Sequence, residues 1–492
     1  MIAFACAVFT SAFLVFQVQP VLARFILPWF GGSPAVWTTC MLFFQVGLLC
    51  GYAYAHLLAS RVALAKQPYV HLTLVVVSML TLPITPEQTG VITAQAPTLD
   101  ILLLLAGAVG FPFVMLSASA PLLQHWFANV HPGRSPFRLY ALSNLGSLVA
   151  LLGYPIVVEP AITLATQTFA WSAGYVVFAA VSLWCAWPIL SKRLDKPAER
   201  DNATPSAPAT WSERVIWTLL AACGSIVLLA TTNQMCQDVA VIPFLWVLPL
   251  SLYLVTFIIC FERDSWYLRS LWIPILTLSV GALVVLLHQD YIDDEMSLAY
   301  QIAIYTSAMF ACCMVCHGEM VRRRPEATQL TTFYLYLAFG GALGGVFVSI
   351  IAPLIFDGFW ELHLGLLATA VLAGFCIVRD RKALATRVRL YSFGTYWILG
   401  VATLAYYLDD HATYQLDDSI VNMRGFYGVL HVYEVDVGTK YHARKLFHGR
   451  ISHGGQWQSQ RDRNRPTTYY GTNSGTGVAI NYHPARQTPE GQ

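Results

Sequence analysis

"FRLYALSNLGSLVALLGYPIVVEP", Phe137 to Pro160, and "FYLYLAFGGALGGVFVSIIAPLIFD", Phe333 to Asp357, read as two versions of one segment. Phe, Leu and Tyr coincide at the start. After a two-residue slip Gly146 falls on Gly344, Pro155 on Pro353 and Glu159 on Asp357. Each segment is long and apolar enough to cross a hydrocarbon core, which takes about 20 residues. A second echo lies upstream, where "PAVW" (Pro34–Trp37) matches "PFLW" (Pro243–Trp246). Both members of each pair run the same way across the membrane, so the chain reads as two successive halves in parallel orientation. The small-residue steps Gly340-Gly341 and Gly344-Gly345 let helix backbones approach closely.

The composition around these segments agrees. Of 492 residues, 56% are hydrophobic and 11% charged, with mean hydropathy +0.56. A soluble chain carries roughly 25% charged residues, so most of this one belongs in a bilayer. A net charge of +2 and the lack of a basic stripe interleaved with aromatics exclude a nucleic-acid partner. The 11 cysteines fall mostly inside apolar runs (Cys6, Cys40, Cys50, Cys185, Cys376), where a small buried thiol is the expected role, and none follows Cys376. The N-terminus has no basic n-region and reads as a first span, not a removable signal. About thirteen spans are expected: 2–23, 36–59, 69–86, 99–127 (bent at Pro112 and Pro121), 138–158, 164–190, 213–233, 240–261, 269–288, 298–320, 331–353, 361–378 and 391–408. The domain plan is a first bundle over 1–190, a charged, Pro/Ala/Ser-rich linker over 191–212, a second bundle plus an extra span over 213–408, and a soluble β-rich tail over 409–492.

Charge in the loops orients the chain. Arg61 and Lys66, Arg134 and Arg138, Lys192 and Arg193, Arg263 and Arg269, Arg322 to Arg324, and Arg379, Arg381 and Lys382 fall in alternate loops. The intervening loops carry Glu87, Glu159, Asp238, Asp290, Asp293, Asp294, Glu295, Asp357 and Glu361. Basic short loops mark the cytoplasmic side. The N-terminus and the linker are therefore expected inside, and the tail beyond Asp409 outside, with Arg24 as the one dissenter. The triplet Asn202-Ala203-Thr204 then lies inside, where it has no weight as a glycosylation site. Six spans repeated in parallel is the plan of major-facilitator transporters.

Polar residues inside spans are costly and are candidates for function. Gln17, Gln19, Gln45, Asn144, Asn233, Gln234 and Gln237 are uncharged, and hydrogen bonding between helices serves them equally well. His317 and Glu319, in "ACCMVCHGEMVRRRP", form a titratable pair suited to relaying protons or holding a cationic solute. The plainer role for Glu319 is pairing with the Arg322–Arg324 cluster one turn on. Cys313, Cys316 and His317 match C-x-x-C-H, but a membrane helix ending on the basic side is the wrong place for haem attachment, and that reading is rejected. The histidines, including His442, His448 and His453 in the tail, fit no metal-ligand spacing, so no metal is expected.

"SAFLVFQVQPVLARFILPWFGGSPAVWTTCMLFFQ" (Ser11–Gln45), "CCMVCHGEM" (Cys312–Met320), "FYGVLHV" (Phe426–Val432) and "PTTYYGTNSGTGVA" (Pro466–Ala479) closely resemble bacterial membrane proteins described as fused major-facilitator/spermidine-synthase proteins. The resemblance runs over essentially the whole chain. It implies a bacterial inner-membrane location and a tail similar to the N-terminal β-domain of polyamine aminopropyltransferases, which use decarboxylated S-adenosylmethionine as co-substrate. From Phe426 the tail alternates with period two, turns at Gly438-Thr439 and continues through "KYHARKLFHG", as hairpins do. Against the family's L-D-G-x-x-Q, "FHGRIS" puts Ser452 over the Gln, and Gln456 reaches that place only in a shifted register. Against D-E-x-x-Y-H-E, only Tyr469 matches. Gln456 and Tyr469 are the sole candidates the resemblance leaves for catalysis. The chain reaches Gln492 where the Rossmann-like part would begin, and no G-x-G-x-x-G follows a strand. "GTNSGTG" (Gly471–Gly477) reads as a flexible turn, and Asp409, Asp410, Asp417 and Asp418 as a solvated face.

Two functions are therefore expected as alternatives. One is a membrane protein linked to polyamine metabolism, with the aminopropyltransferase site absent from this chain or supplied by a separate chain bearing the Rossmann-like domain. The other is a major-facilitator-like transporter of a small solute, cationic or not, with a β-domain tail for binding or assembly.

Overall fold

The computed structural model describes residues 1–86, 96–131, 137–191, 209–238, 244–288, 296–325, 329–380, 387–417, 419–449 and 451–484. Among the residues invoked above, Glu87, Arg134, Lys192, Arg193, Asn202, Ala203, Thr204, Pro243, Asp290, Asp293, Asp294, Glu295, Arg381, Lys382, Asp418 and most of the linker lie outside them.

The long elements are helices because a bilayer offers the backbone no partners, so each N–H must bond within its own segment. They are α1 (Ile2–Phe30), α2 (Pro34–Arg61), α3 (Gln67–Ser78), α4 (Pro97–Val130), α5 (Phe137–Gly153, prolonged through Tyr154–Val158 to Glu159–Ala161), α6 (Leu164–Ser191), α7 (Trp211–Asp238), α8 (Phe244–Glu262), α9 (Arg269–Leu287), α10 (Leu298–Val321), α11 (Leu330–Ile355), α12 (Glu361–Arg379) and α13 (Arg387–Asp417). Eleven helices among the described residues are long and apolar enough to cross a membrane. The two expected spans that fall short are α3, only 12 residues long, and α13, whose 31 residues include five tyrosines and three threonines. Helix α13 also runs past Asp409, where the tail was expected to start, as far as Asp417.

The two repeat segments become α5 and α11, and they share two features. Each widens into a π turn near its matched proline, at Tyr154–Val158 and at Phe347–Ile351. A proline supplies no N–H, and the wider turn absorbs the broken ladder. Each also puts its matched glycine against a neighbouring backbone. A Cβ on Gly146 would stand 2.8 Å from the Phe9 carbonyl oxygen of α1, and one on Gly344 would stand 2.7 Å from the Ala222 carbonyl oxygen of α7. The packing follows the same rule. Helix α1 packs on α4, α5 and α6, as α7 packs on α10, α11 and α12. Helix α2 packs on α4 and α11, as α8 packs on α10 and α5. Arg24, out of place by loop charge, lies beside Glu159 at 3.1 Å on the same end of the bundle.

Helix α13 returns antiparallel to α12, with Trp397 donating to the Ala370 carbonyl (3.0 Å) and His411 meeting His363 (2.9 Å). It delivers an antiparallel meander to the end of the bundle where α12 starts: β1 (Ser419–Gly425), β2 (Gly428–Val435), β3 (Ala443–His448) and β4 (Ile451–Trp457). Strand patterning was expected from Phe426. The structure adds β1 before it and puts Phe426-Tyr427 in the turn, which Gly428 closes at φ 142°. "GTNSGTG" is not all turn either. Ser474 accepts from the Gly477 N–H (3.0 Å) and caps a short helix, α14 (Gly475–Tyr482).

If the matched glycines do equivalent work, Gly146→Ala and Gly344→Ala each lower stability by about 1–3 kcal/mol through overpacking. Gly341→Ala, which meets open space, serves as the control. Thermal unfolding in detergent checks the ranking.

Candidate functional site

A cavity of about 210 Å³ lies midway along the bundle, walled by α1, α2, α4 and α5 on one side and by α7, α8 and α11 on the other. Among the described residues no Asp, Glu, Lys, Arg or His lines it. Its polar groups are Ser11, Gln19, Gln45, Ser117, Gln124, Ser143, Asn144 and Ser147, with the aromatic side chains of Tyr52, Tyr253, Phe257 and Tyr334 among the other walls. Five of the polar atoms are buried without a hydrogen-bond partner among the described residues: the Oε1 atoms of Gln19, Gln45 and Gln124, the Ser117 hydroxyl and the Asn144 Nδ2. Leaving one buried polar atom unmet costs about 1–3 kcal/mol, so five such atoms on residues that line one space make it a candidate site for a ligand or water. Their helices hold them there. Gln45 Nε2 donates to the Ser225 hydroxyl of α7 (2.9 Å), which donates to the Gly341 carbonyl of α11 (3.0 Å). The Gln45 carboxamide oxygen is left over.

Two further cavities lie on the same line. One of about 190 Å³ shares Pro121, Gln124 and Tyr334 with the central cavity and is lined by His56, Ser60, His125 and Thr331, with His56 Nδ1 3.1 Å from the Thr331 hydroxyl. The other, about 480 Å³, lies toward the sheet and is lined by Thr38, Asn233, Gln237, Ser349, Arg424 and Phe426 among others. Thr38 faces the sheet-side cavity, Met41, Gln45, Leu48 and Tyr52 the central one, and His56 and Ser60 the third. These residues recur every three or four positions, so a single face of α2 lines all three spaces from end to end. One turn before Met41 on α2, Trp37 stacks on Trp246 (ring centroids 5.2 Å apart, planes at 17°), and both rings are buried. These are the tryptophans of the two matched tetrapeptides.

The β1–β2 hairpin covers the sheet-side end. Arg424 forms a two-point ion pair with Glu361 at the start of α12 (2.5 and 3.1 Å), donates to the Gly358 carbonyl and lies over the Phe359 ring (4.6 Å). Both charged side chains are at most 4% exposed. Phe426, at the hairpin tip, packs on the apolar cluster of α1, α2, α4 and α6. The tip therefore touches both halves.

Of the residues singled out from sequence, Gln45 and Asn144 line the central cavity, as does Gln19. Gln17 and Gln234 are buried in α1 and α7 but do not line it. Neither do His317 and Glu319. His317 stacks on Phe257 (3.8 Å) with Nδ1 2.8 Å from the Thr256 hydroxyl, inside the second half. Glu319 is fully buried and clamped. Arg269 reaches it twice (2.6 and 2.7 Å), Arg323 from one turn on (2.6 Å), and Tyr267 donates its hydroxyl (3.0 Å). The pairing one turn along was expected; Arg269, 50 residues earlier, was not. Gln124 was missed, although a lone amide within 99–127 was its signal. Gln456 is exposed on β4, and Tyr469, half exposed, donates to the Ser452 carbonyl (3.0 Å). Neither lines a cavity described above. No family model and no curated protein matches the chain.

Arg424→Met or Glu361→Gln alone leaves a buried charge unpaired and costs about 3–5 kcal/mol, whereas the double substitution costs less than either. A double-mutant cycle in thermal unfolding checks this. Asp380, just past the end of α12, carries a second expectation. Burial pushes its carboxyl up, but hydrogen bonds and charge from Arg322 and Arg269 outweigh that and hold it below the ordinary carboxylate range. Its stabilising contribution is thus present above about pH 3.9 and is lost as pH falls through the lowered folded-state value. Melting temperature should fall less steeply in acid for Asp380→Asn than for the parent.

Proposed function

We propose that this protein is a membrane transporter that moves a small uncharged polar solute through the central cavity, with the basic end of the bundle in the cytoplasm. The observation that carries the reading is the single face of α2 that lines three successive cavities across the bundle. Translocation between two halves needs a midplane site with a route toward either end, and a closure that alternates. The unpaired amides and hydroxyls supply the site. The His56 and His125 space supplies a route toward the end bearing Arg61, and the Trp37–Trp246 stack supplies the closure at the other end. The shared packing pattern of α1–α6 and α7–α12, and the equivalent duties of Gly146 and Gly344, support a major-facilitator-like plan of six and six. The four-stranded meander supports the resemblance of the tail to the β-domain of spermidine synthase, and we read it as a docked module bridging the halves.

A polyamine suits this cavity less well. A polycation at neutral pH is best held by carboxylates, and the described wall has none. Glu319, the one acid among the candidate residues inside the spans, is neutralised elsewhere by two arginines.

Reconstituted in liposomes, the protein should accumulate label from at least one member of a panel of uncharged polar solutes. Asn144→Leu and Gln45→Leu should reduce that uptake about tenfold, the loss of one hydrogen bond to a buried polar group. Labelled spermidine should stay at the level of empty liposomes. Spermidine uptake that both variants leave unchanged would defeat the proposal.

A further inference from the structure

A second polar space, of about 270 Å³, lies at the opposite end of the bundle from the sheet, where α9 begins and α10 and α12 end. Its walls are four arginines and one acid: Arg269, Arg322, Arg323, Arg379 and Asp380. The arginines divide into two kinds. Arg269 and Arg323 are mostly buried and committed to Glu319, Asp380 and the Cys376 carbonyl. Arg322 and Arg379 are not. Arg322 has one hydrogen bond, from Nη2 to Asp380 (3.2 Å), and Arg379 has one, from Nη1 to the Ser212 hydroxyl (2.5 Å). Among the described residues no other partner meets their remaining N–H donors. Against the carboxylates of Glu319 and Asp380, the four guanidinium groups leave two positive charges in excess.

We infer that the pocket binds a phosphate group, held by the free edges of Arg322 and Arg379 and drawn by the charge of the committed pair behind them. Guanidinium edges match phosphate oxygens two at a time, which suits Arg to this role better than Lys. Basic pockets between transmembrane helices on the cytoplasmic side recognise anionic lipid head groups. The pocket sits where these helices leave the membrane, so the phosphodiester of an anionic lipid is the favoured source, and free phosphate is the other. The site shares no residue with the central cavity and does not depend on transport.

The test uses the purified full chain in a neutral detergent. Melting temperature is followed against added phosphatidylglycerol, phosphatidylcholine and inorganic phosphate, for the parent and for Arg322→Gln/Arg379→Gln. Phosphatidylglycerol is expected to stabilise the parent with an apparent affinity about tenfold tighter than phosphatidylcholine, and the double variant to lose that preference. Stabilisation by phosphatidylglycerol alone identifies a lipid site. Stabilisation by inorganic phosphate as well identifies a site for the phosphate group from either source. If the double variant does not purify, raising the salt from about 0.05 to about 0.5 M must shrink the effect on the parent, because screening weakens partly exposed charge pairs. Equal responses to the two lipids, or a preference that survives in the double variant or at high salt, would overturn the inference.

Discussion

Inside a bilayer no water stands in for a missing hydrogen bond, and nearly every feature of this molecule answers to that constraint. The backbone meets it by coiling, which is why the membrane region is helix throughout its described length. Side chains meet it case by case. Glu319, a fully buried carboxylate, is tolerated because two arginines and a tyrosine hydroxyl surround it. The amides around the central cavity break the rule. Five polar atoms there have no partner among the described residues, in a fold that satisfies a carboxylate with three side chains elsewhere. Other buried polar atoms, Gln17 Oε1, Ser182 Oγ and Thr231 Oγ1 among them, also lack a partner among the described residues, so it is the grouping around one cavity that singles out these five.

Close backbone approach is what lets the halves carry such a cavity. Hydrophobic attraction between helices is weak in lipid, so packing rests on contact over short distances. Gly146 of α5 against α1 and Gly344 of α11 against α7 set those distances alike. At the junction between halves, Gln45, Ser225 and Gly341 tie α2, α7 and α11 together with hydrogen bonds. Apolar packing elsewhere needs no such direction. Polar groups at the junction therefore both join the halves and line the space between them.

The tail extends the same economy beyond the membrane. A four-stranded sheet this small buries little of its own, and among the described strand residues only Val429 and Ala443 are buried. Its fixed attachment is the hairpin, where Arg424 meets Glu361 under cover of Phe359 and Phe426 reaches the other half. A sheet so placed covers the end of the bundle where α12 starts.

Composition and apolar run length were enough to place the chain in a bilayer, and the cost of an amide inside a span singled out Gln45 and Asn144, which the structure brings to the central cavity. These signals are local: each is a property of one helix and its neighbours in sequence. Run length overstated α3 and α13, because it weighs apolar letters and not the tyrosines or the early turn that interrupt them. Partner choice was not legible. That Glu319 meets Arg269, that Gln124 joins Gln19 and Asn144 around one space, and that Arg424 finds Glu361 depend on how far each helix is rotated and where it crosses the next. Crossing and rotation are fixed by glycine contacts between separate helices, so only the assembled tertiary structure decides which polar groups are satisfied and which are left facing a cavity.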